Sequence, residues 1–196
     1  MKLKEDFYQR TDVVKIAREL LGKELYTRIN GVLTGGRIVE TEAYSWKERG
    51  CHAYGARKTA RNEVMFRKGG FAYVYMCYGI HYLFNVVTNR EDTPEAVLVR
   101  ALEPLEGVGE MKLRRIVPEN GFHLTSGPGK LTKALGIGRS FNGKFLLDDE
   151  IWIEDPGTKV AKASIAASER IGIDYAGEDA RLPWRFTIRD NAWVSK

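Results

Sequence analysis

Two neighbouring stretches constrain the fold most: an alternating segment, RIVETEAYSW (Arg37–Trp46), and a tyrosine-dense one, FAYVYMCYGIHYLFN (Phe71–Asn85). Both are rich in β-branched and aromatic residues and repeat with a period of two, so the chain must build a sheet around them. If the first strand stays regular, Ile38, Glu40, Glu42 and Tyr44 share one face, with Val39, Thr41 and Ala43 on the other. Two carboxylates on one face invite a catalytic reading, but a solvated strand face alternates in the same way. In the second segment Phe71, Tyr73 and Tyr75 share one face, while Val74, Met76 and Tyr78 share the other. A core alone does not need so many hydroxyls, and sheet aromatics with their hydroxyls reaching water are the bland alternative. Tyr78-Gly79 sits where a tight turn should leave a large ring at a protruding tip.

The remaining signals fill in the frame. Thr11 is a candidate N-cap for a helix over Val13–Leu21, with Gly22 as its stop. Asn30-Gly31 between two strand-like runs, Leu25–Ile29 and the strand through Arg37–Ala43, predicts a hairpin. A short helix is expected at Asn62–Lys68, and strands at Phe71–Tyr78, Ile80–Thr88, Ala96–Leu102, Ile151–Ile153 and Trp184–Ile188. Gly107–Ile116 and Pro128–Leu135 read as helices, the latter with proline in its first turn. Residues 117–129 and 136–144 read as ordinary connections. Strands and helices alternate without a βαβ rhythm. The expected fold is therefore α+β, a single compact domain over residues 1–196 with a mostly antiparallel sheet and flanking helices. With 196 residues, 43% of them hydrophobic, one sizeable core is the natural solution.

Composition narrows the chemistry. The chain carries a net charge of +5, which favours a polyanionic partner. Basic residues cluster at Arg57, Lys58 and Arg61, at Arg67 and Lys68, at Lys112, Arg114 and Arg115, and at Lys130 and Lys133. No apolar leader or membrane-length run is visible, which points to a cytoplasmic protein with no membrane partner. Cys51 and Cys77 form no C-x-x-C, and the three histidines lack ligand spacing, so neither a metal nor a cofactor is expected. Ser126-Gly-Pro-Gly-Lys130 resembles a phosphate loop only superficially, because Leu131 stands where Ser or Thr is required. A helix start there is still able to grip one backbone phosphate. His81 and His123 read as structural; His52, ten residues after Glu42, lies within reach of the same strand end.

Taken together, G-R-I-V-E-T-E-A-Y (Gly36–Tyr44), C-H-A-Y-G (Cys51–Gly55), T-A-R-N (Thr59–Asn62), Y-V-Y-x-x-Y-G (Tyr73–Gly79), Asn85 and V-L-V-R-A-L-E-P-L-E-G (Val97–Gly107) closely resemble the mammalian-type 3-methyladenine (alkyladenine) DNA glycosylases. The order and spacing match over nearly the whole chain, apart from Ala60 where that family often has proline.

The resemblance implies a monomeric, cofactor-free enzyme, nucleoid-associated if prokaryotic, that binds double-stranded DNA containing damaged purines. It would flip an alkylated or deaminated purine from the stack and hydrolyse its glycosidic bond, leaving an abasic site for base excision repair. It places the catalytic carboxylate on Glu42, leaves Glu40 as a strand residue, and puts Arg100 near the catalytic water. Tyr44, His52 and Tyr75 fall on base-pocket positions, Asn85 on the filter against guanine, and Tyr78 on the wedge that fills the emptied stack. A single carboxylate suffices for such chemistry, since it takes a proton from water and faces an oxocarbenium-like sugar. No lysine matches a Schiff-base role, so no lyase step is expected. A pocket that only binds bases has no use for an unpaired buried anion at Glu42.

Overall fold

The computed structural model describes residues 1–116, 121 and 123–196. A single helical turn, α1 (Glu5–Tyr8), precedes α2 (Val13–Leu20). Helix α2 buries Val13, Ile16, Ala17 and Leu20 along one stripe. Each large apolar side chain of that stripe contributes roughly 1.5–3 kcal/mol by leaving water. Its N-cap is Asp12, whose Oδ1 accepts the Lys15 backbone N–H at 2.9 Å, and not the expected Thr11.

The sheet among the described residues has eight strands: β1 (Glu24–Ile29), β2 (Val32–Ser45), β3 (Ala72–Cys77), β4 (His81–Thr88), β5 (Glu95–Glu106), β6 (Ile151–Glu154), β7 (Ile165–Ser168) and β8 (Arg185–Ile188). Its order is β3-β4-β5-β2-β1-β6, with β8 on the long strand β2 and β7 on β8. Every pairing is antiparallel, as the α+β expectation required. Asn30 and Gly31, both with positive φ, make the two-residue hairpin between β1 and β2. Helices α3 (Val108–Arg115) and α4 (Pro128–Leu135) follow β5, and part of their connection lies outside the described residues.

Some details depart from the sequence pattern. Residues 62–68 hold only one 3₁₀ turn, Glu63–Phe66. Strand β5 continues through Pro104, where a register shift beside Gly35 and Gly36 accommodates a residue without an N–H. Strand β7 and α1 had no sequence signal long enough to find them. Among the described residues, no helix is long and apolar enough to cross a membrane.

The sheet separates two apolar clusters. The larger joins α2 and α4 to Ile38, Ala43, Val74, Val97 and Val99. The smaller, on the opposite face, contains Cys51, Val64, Met65, Phe66 and Tyr73, with Tyr44 and Tyr75 packed against it.

The cap assignment is testable by urea denaturation. Asp12→Ala should cost about 1 kcal/mol, within the usual range for losing an acidic N-cap. Thr11→Ala should change stability by no more than a few tenths of that.

Candidate active site

The paired strands β2 and β5 are irregular a second time around Glu40, and the site is built there. Ile38 registers with Leu102, Glu40 with Ala101 and Thr41 with Val99, so Val39 and Arg100 are each skipped in the ladder. Two bulges, one per strand, restore the register and reverse which residues face which side. Ile38 and Leu102 lie in the main core, and beyond the bulge Ala43, Val97 and Val99 do too. Thr41 also points that way, donating to the Ala17 carbonyl of α2 at 2.8 Å. The expected face of Ile38, Glu40, Glu42 and Tyr44 is therefore broken: Ile38 leaves it, and the two acids and Tyr44 stay.

Neither acid belongs to a solvated face, because both have 0% exposure. Glu40 Oε1 accepts from Arg100 Nε at 2.8 Å, Arg185 Nε at 2.7 Å and the Ser195 hydroxyl at 2.8 Å, and Oε2 accepts the Ser195 backbone N–H. Burial alone would raise its carboxyl pKa, but Arg100, the Ser195 N–H and Arg185 together hold it below the usual range. Glu42 is not the unpaired anion expected from sequence. Its Oε1 accepts the Ile171 backbone N–H at 2.8 Å and lies 3.3 Å from Arg100 Nη1, while Oε2 accepts the Tyr44 hydroxyl at 2.8 Å. Burial, and then the Glu42 charge, push the Tyr44 phenol well above its normal pKa, so it remains a donor. Arg100 stays charged although buried, because Glu42 and Glu40 outweigh the desolvation.

A cavity of about 810 Å³ opens in front of this hub, lined by Tyr44, His52, Tyr75, Asn85, Tyr78 and Arg100, among others. Six of the seven site residues expected from sequence therefore meet at one cavity, while Glu42 lies one layer behind its wall. The His52 Nδ1 and the Tyr73 hydroxyl are 2.9 Å apart, and the imidazole packs edge-on to Tyr75 with centroids 4.5 Å apart. One side of the His52 ring is open to the cavity. Loss of solvent on the walled side, and then the charge of Arg61, push its pKa down to about 4. The Asn62 amide donates to the His52 carbonyl at 2.8 Å and so fixes the loop that carries the ring. Asn85 is buried on β4, opposite Tyr73, and its Nδ2 donates to the Tyr73 carbonyl at 3.1 Å.

Tyr78 stands apart from this packed wall. It is 86% exposed at the β3–β4 turn, where Tyr78 and Gly79 have φ of 52° and 72° and the Ile80 N–H closes onto the Cys77 carbonyl. A bulky ring in the left-handed region is costly and uncommon. Of the basic clusters, Arg61, Arg115 and Lys130 reach the cavity rim. Arg114 instead bonds Glu110, Thr34 and the Ala134 carbonyl. No group of three or more potential metal ligands exists among the described residues.

Sequence reasoning missed Arg185 and Ser195, which reach the hub from the last quarter of the chain, and Arg170, which from the same quarter grips Glu48 behind Tyr44. Their spacing from Glu40 and Glu42 exceeds 120 residues, and no local motif marks them.

Residues 6–192 match the family described as methylpurine-DNA glycosylase (MPG). The chain is also 46% identical over 198 residues to a protein of Natranaerobius thermophilus named "Putative 3-methyladenine DNA glycosylase", covering 100% of this chain and 99% of that one. A Chlamydia abortus protein of the same name is 47% identical, covering 95% of this chain and 97% of its own. A third, from Clostridium acetobutylicum, is 44% identical over 100% of this chain and 98% of that one. By a match that runs through every strand of the sheet, the chain belongs to the methylpurine-DNA glycosylase family.

Proposed function

We propose that this DNA glycosylase extrudes an alkylated or deaminated purine from duplex DNA into the cavity and cleaves its N-glycosidic bond with water activated by Glu42. The observation that carries this reading is a buried carboxylate held by three donors directly behind an aromatic-walled cavity. Glu42 Oε2 accepts one bond from Tyr44 and keeps a second lone pair for a water proton. Its charge, beside Arg100, then faces the positive sugar as the base leaves. A cationic alkylated purine departs as a neutral base and needs no acid.

Tyr44 and Tyr75 supply rings for the extruded base, a contact of about 1–3 kcal/mol per stacked base by analogy with single-strand binding. Such contacts offset the few kcal/mol of unstacking, least where the pair is already weak. Tyr78 is the wedge, supported by its exposure and its left-handed turn. Arg61, Arg115, Lys130 and the start of α4 sit on the rim as contacts for backbone phosphates.

The two buried acids should separate under the same substitution. In Glu42→Gln the Gln oxygen still accepts from Ile171 and Arg100, and its NH₂ donates to the Tyr44 hydroxyl, so the fold is largely kept. Excision of a single lesion from a duplex oligonucleotide, scored as alkali-labile sites, should fall by about two to four orders of magnitude. Lesion-duplex affinity should hold, whereas a mere binder would show no excision in either form. Glu40→Gln sets an NH₂ against arginine donors or the Ser195 N–H, whichever way it turns. It should lose about 3 kcal/mol of stability in urea melts, the scale of breaking a buried charge network.

Tyr78→Ala should slow excision of paired lesions far more than of lesions opposite an abasic gap, where extrusion costs less. Equal loss on both would return Tyr78 to a packing role.

Asn85→Ser should raise release of undamaged guanine while adenine lesions are still processed, measured on matched oligonucleotides. A loss of thermal stability alone would make Asn85 structural.

A further inference from the structure

Behind the cavity wall, a second buried ion pair has no part in the chemistry proposed above. Arg170 has a fully buried side chain and grips Glu48 with both arms of its fork, Nη1 to Oε1 and Nη2 to Oε2 at 2.8 Å each. The same guanidinium donates to the Ala43 carbonyl at 2.9 Å and to the Asp179 carbonyl at 3.0 Å. Its plane lies over the Tyr44 ring at 4.7 Å and over Trp184 at 5.3 Å. Glu48 also accepts the Gly50 N–H at 2.7 Å, so it anchors the loop leaving β2. With both arms of the fork bonded to carboxylate and carbonyls, only Nε is left without a partner, and the aromatic contacts complete one defined geometry, which lysine cannot reproduce.

Arg170 touches neither the cavity nor Glu42, but its neighbours do. The next residue, Ile171, donates its backbone N–H to Glu42 Oε1, and Ile171 itself lines the cavity. Tyr44, pinned from behind by the guanidinium, gives its hydroxyl to the other oxygen of the same carboxylate. Two of the three donors that orient Glu42 are thus placed by Arg170, and the third, Arg100, is placed by Glu40. Taking both ions out of water is costly enough that such a pair is a poor choice for stability alone.

We propose that Arg170, locked by Glu48, is a positioning residue for the glycosylase reaction: it fixes the Ile171 N–H and the Tyr44 ring, and through them the Glu42 carboxylate and the stacked base. The inference rests on the reading of Glu42 as the general base. An error in placing reacting groups of about 1 Å costs on the order of 100-fold in rate.

The test is single-turnover excision with enzyme in saturating excess, because that rate constant does not depend on what fraction of the enzyme is folded. Arg170→Lys keeps the charge and loses the fork; Glu48→Gln keeps the shape and one acceptor, and serves if Arg170→Lys does not fold. The saturated rate should fall about 100-fold for Arg170→Lys and about 10-fold for Glu48→Gln, with affinity for undamaged duplex unchanged. Glu48→Asp, which keeps the carboxylate, should recover part of the Glu48→Gln loss. Saturated rates within about twofold of the parent in the folded variants overturn the positioning role. A parental rate in Glu42→Gln, run alongside, would instead overturn the reading of Glu42.

Discussion

Four charges at the junction of β2, β5 and β8, three of them buried and Arg185 half-buried, set the terms for everything around them. Glu40 and Glu42 are balanced by Arg100 and Arg185, and Ser195 completes the bonds of Glu40. An isolated carboxylate in that position would cost several kcal/mol or take up a proton, so the acids are tenable only if both guanidinium groups arrive. Arg100 arrives by the double bulge, which turns it out of the ladder toward the acids. Arg185 and Ser195 arrive from the far end of the chain, which therefore has to close over β2 before the hub is neutral. The fold and the site are thus one constraint: a sheet paired regularly at Val39 and Arg100 would have no place for either acid.

That dependence explains what was legible in the sequence. The hairpin at Asn30-Gly31, the strands of the tyrosine-rich segment and the helix at Pro128–Leu135 follow from local turn chemistry and periodicity, and they stand where the pattern puts them. The reading of Asp12 against Thr11 failed because two adjacent polar residues both suit a cap, and only backbone geometry chooses between them. The face shared by Ile38 and Glu40 failed for a different reason. A bulge depends on the partner strand, and the alternation in RIVETEAYSW carries no trace of it. Glu40, taken as an ordinary strand residue, proved to be the most heavily bonded acid of the site for the same reason.

The aromatic side of the site combines rigid and exposed parts. Tyr73, Tyr75 and His52 brace one another, with Tyr73 and Tyr75 centroids 5.3 Å apart, and they rest on the smaller apolar cluster. Rings held this firmly cost little further entropy when a base arrives. Tyr78 is the opposite case: it projects from a turn whose left-handed backbone would suit glycine or asparagine better. Holding a tyrosine there has a conformational cost and no packing return in the free protein. That imbalance is the physical ground for assigning its ring a partner outside the chain.

The protonation states of the cavity bear on which bases it would release. Tyr44, Tyr73 and Tyr75 are all pushed upward, first by burial, and so remain neutral donors at physiological pH. His52 is pushed the other way, to about 4, and is neutral as well. In the proposed reading, a neutral imidazole bonded to the Tyr73 hydroxyl would align a base edge but has no spare proton at pH 7 to hand to a departing purine. Under the proposed mechanism the assistance is therefore one-sided: Glu42 and Arg100 serve the sugar and the water, while the leaving base meets only neutral donors. A purine that already carries a positive charge, as an N-alkylated one does, needs nothing more than that. A neutral deaminated purine leaves without its positive charge and must draw its proton from beyond these four side chains, so in this cavity alkylation itself supplies the activation that the protein's own groups withhold.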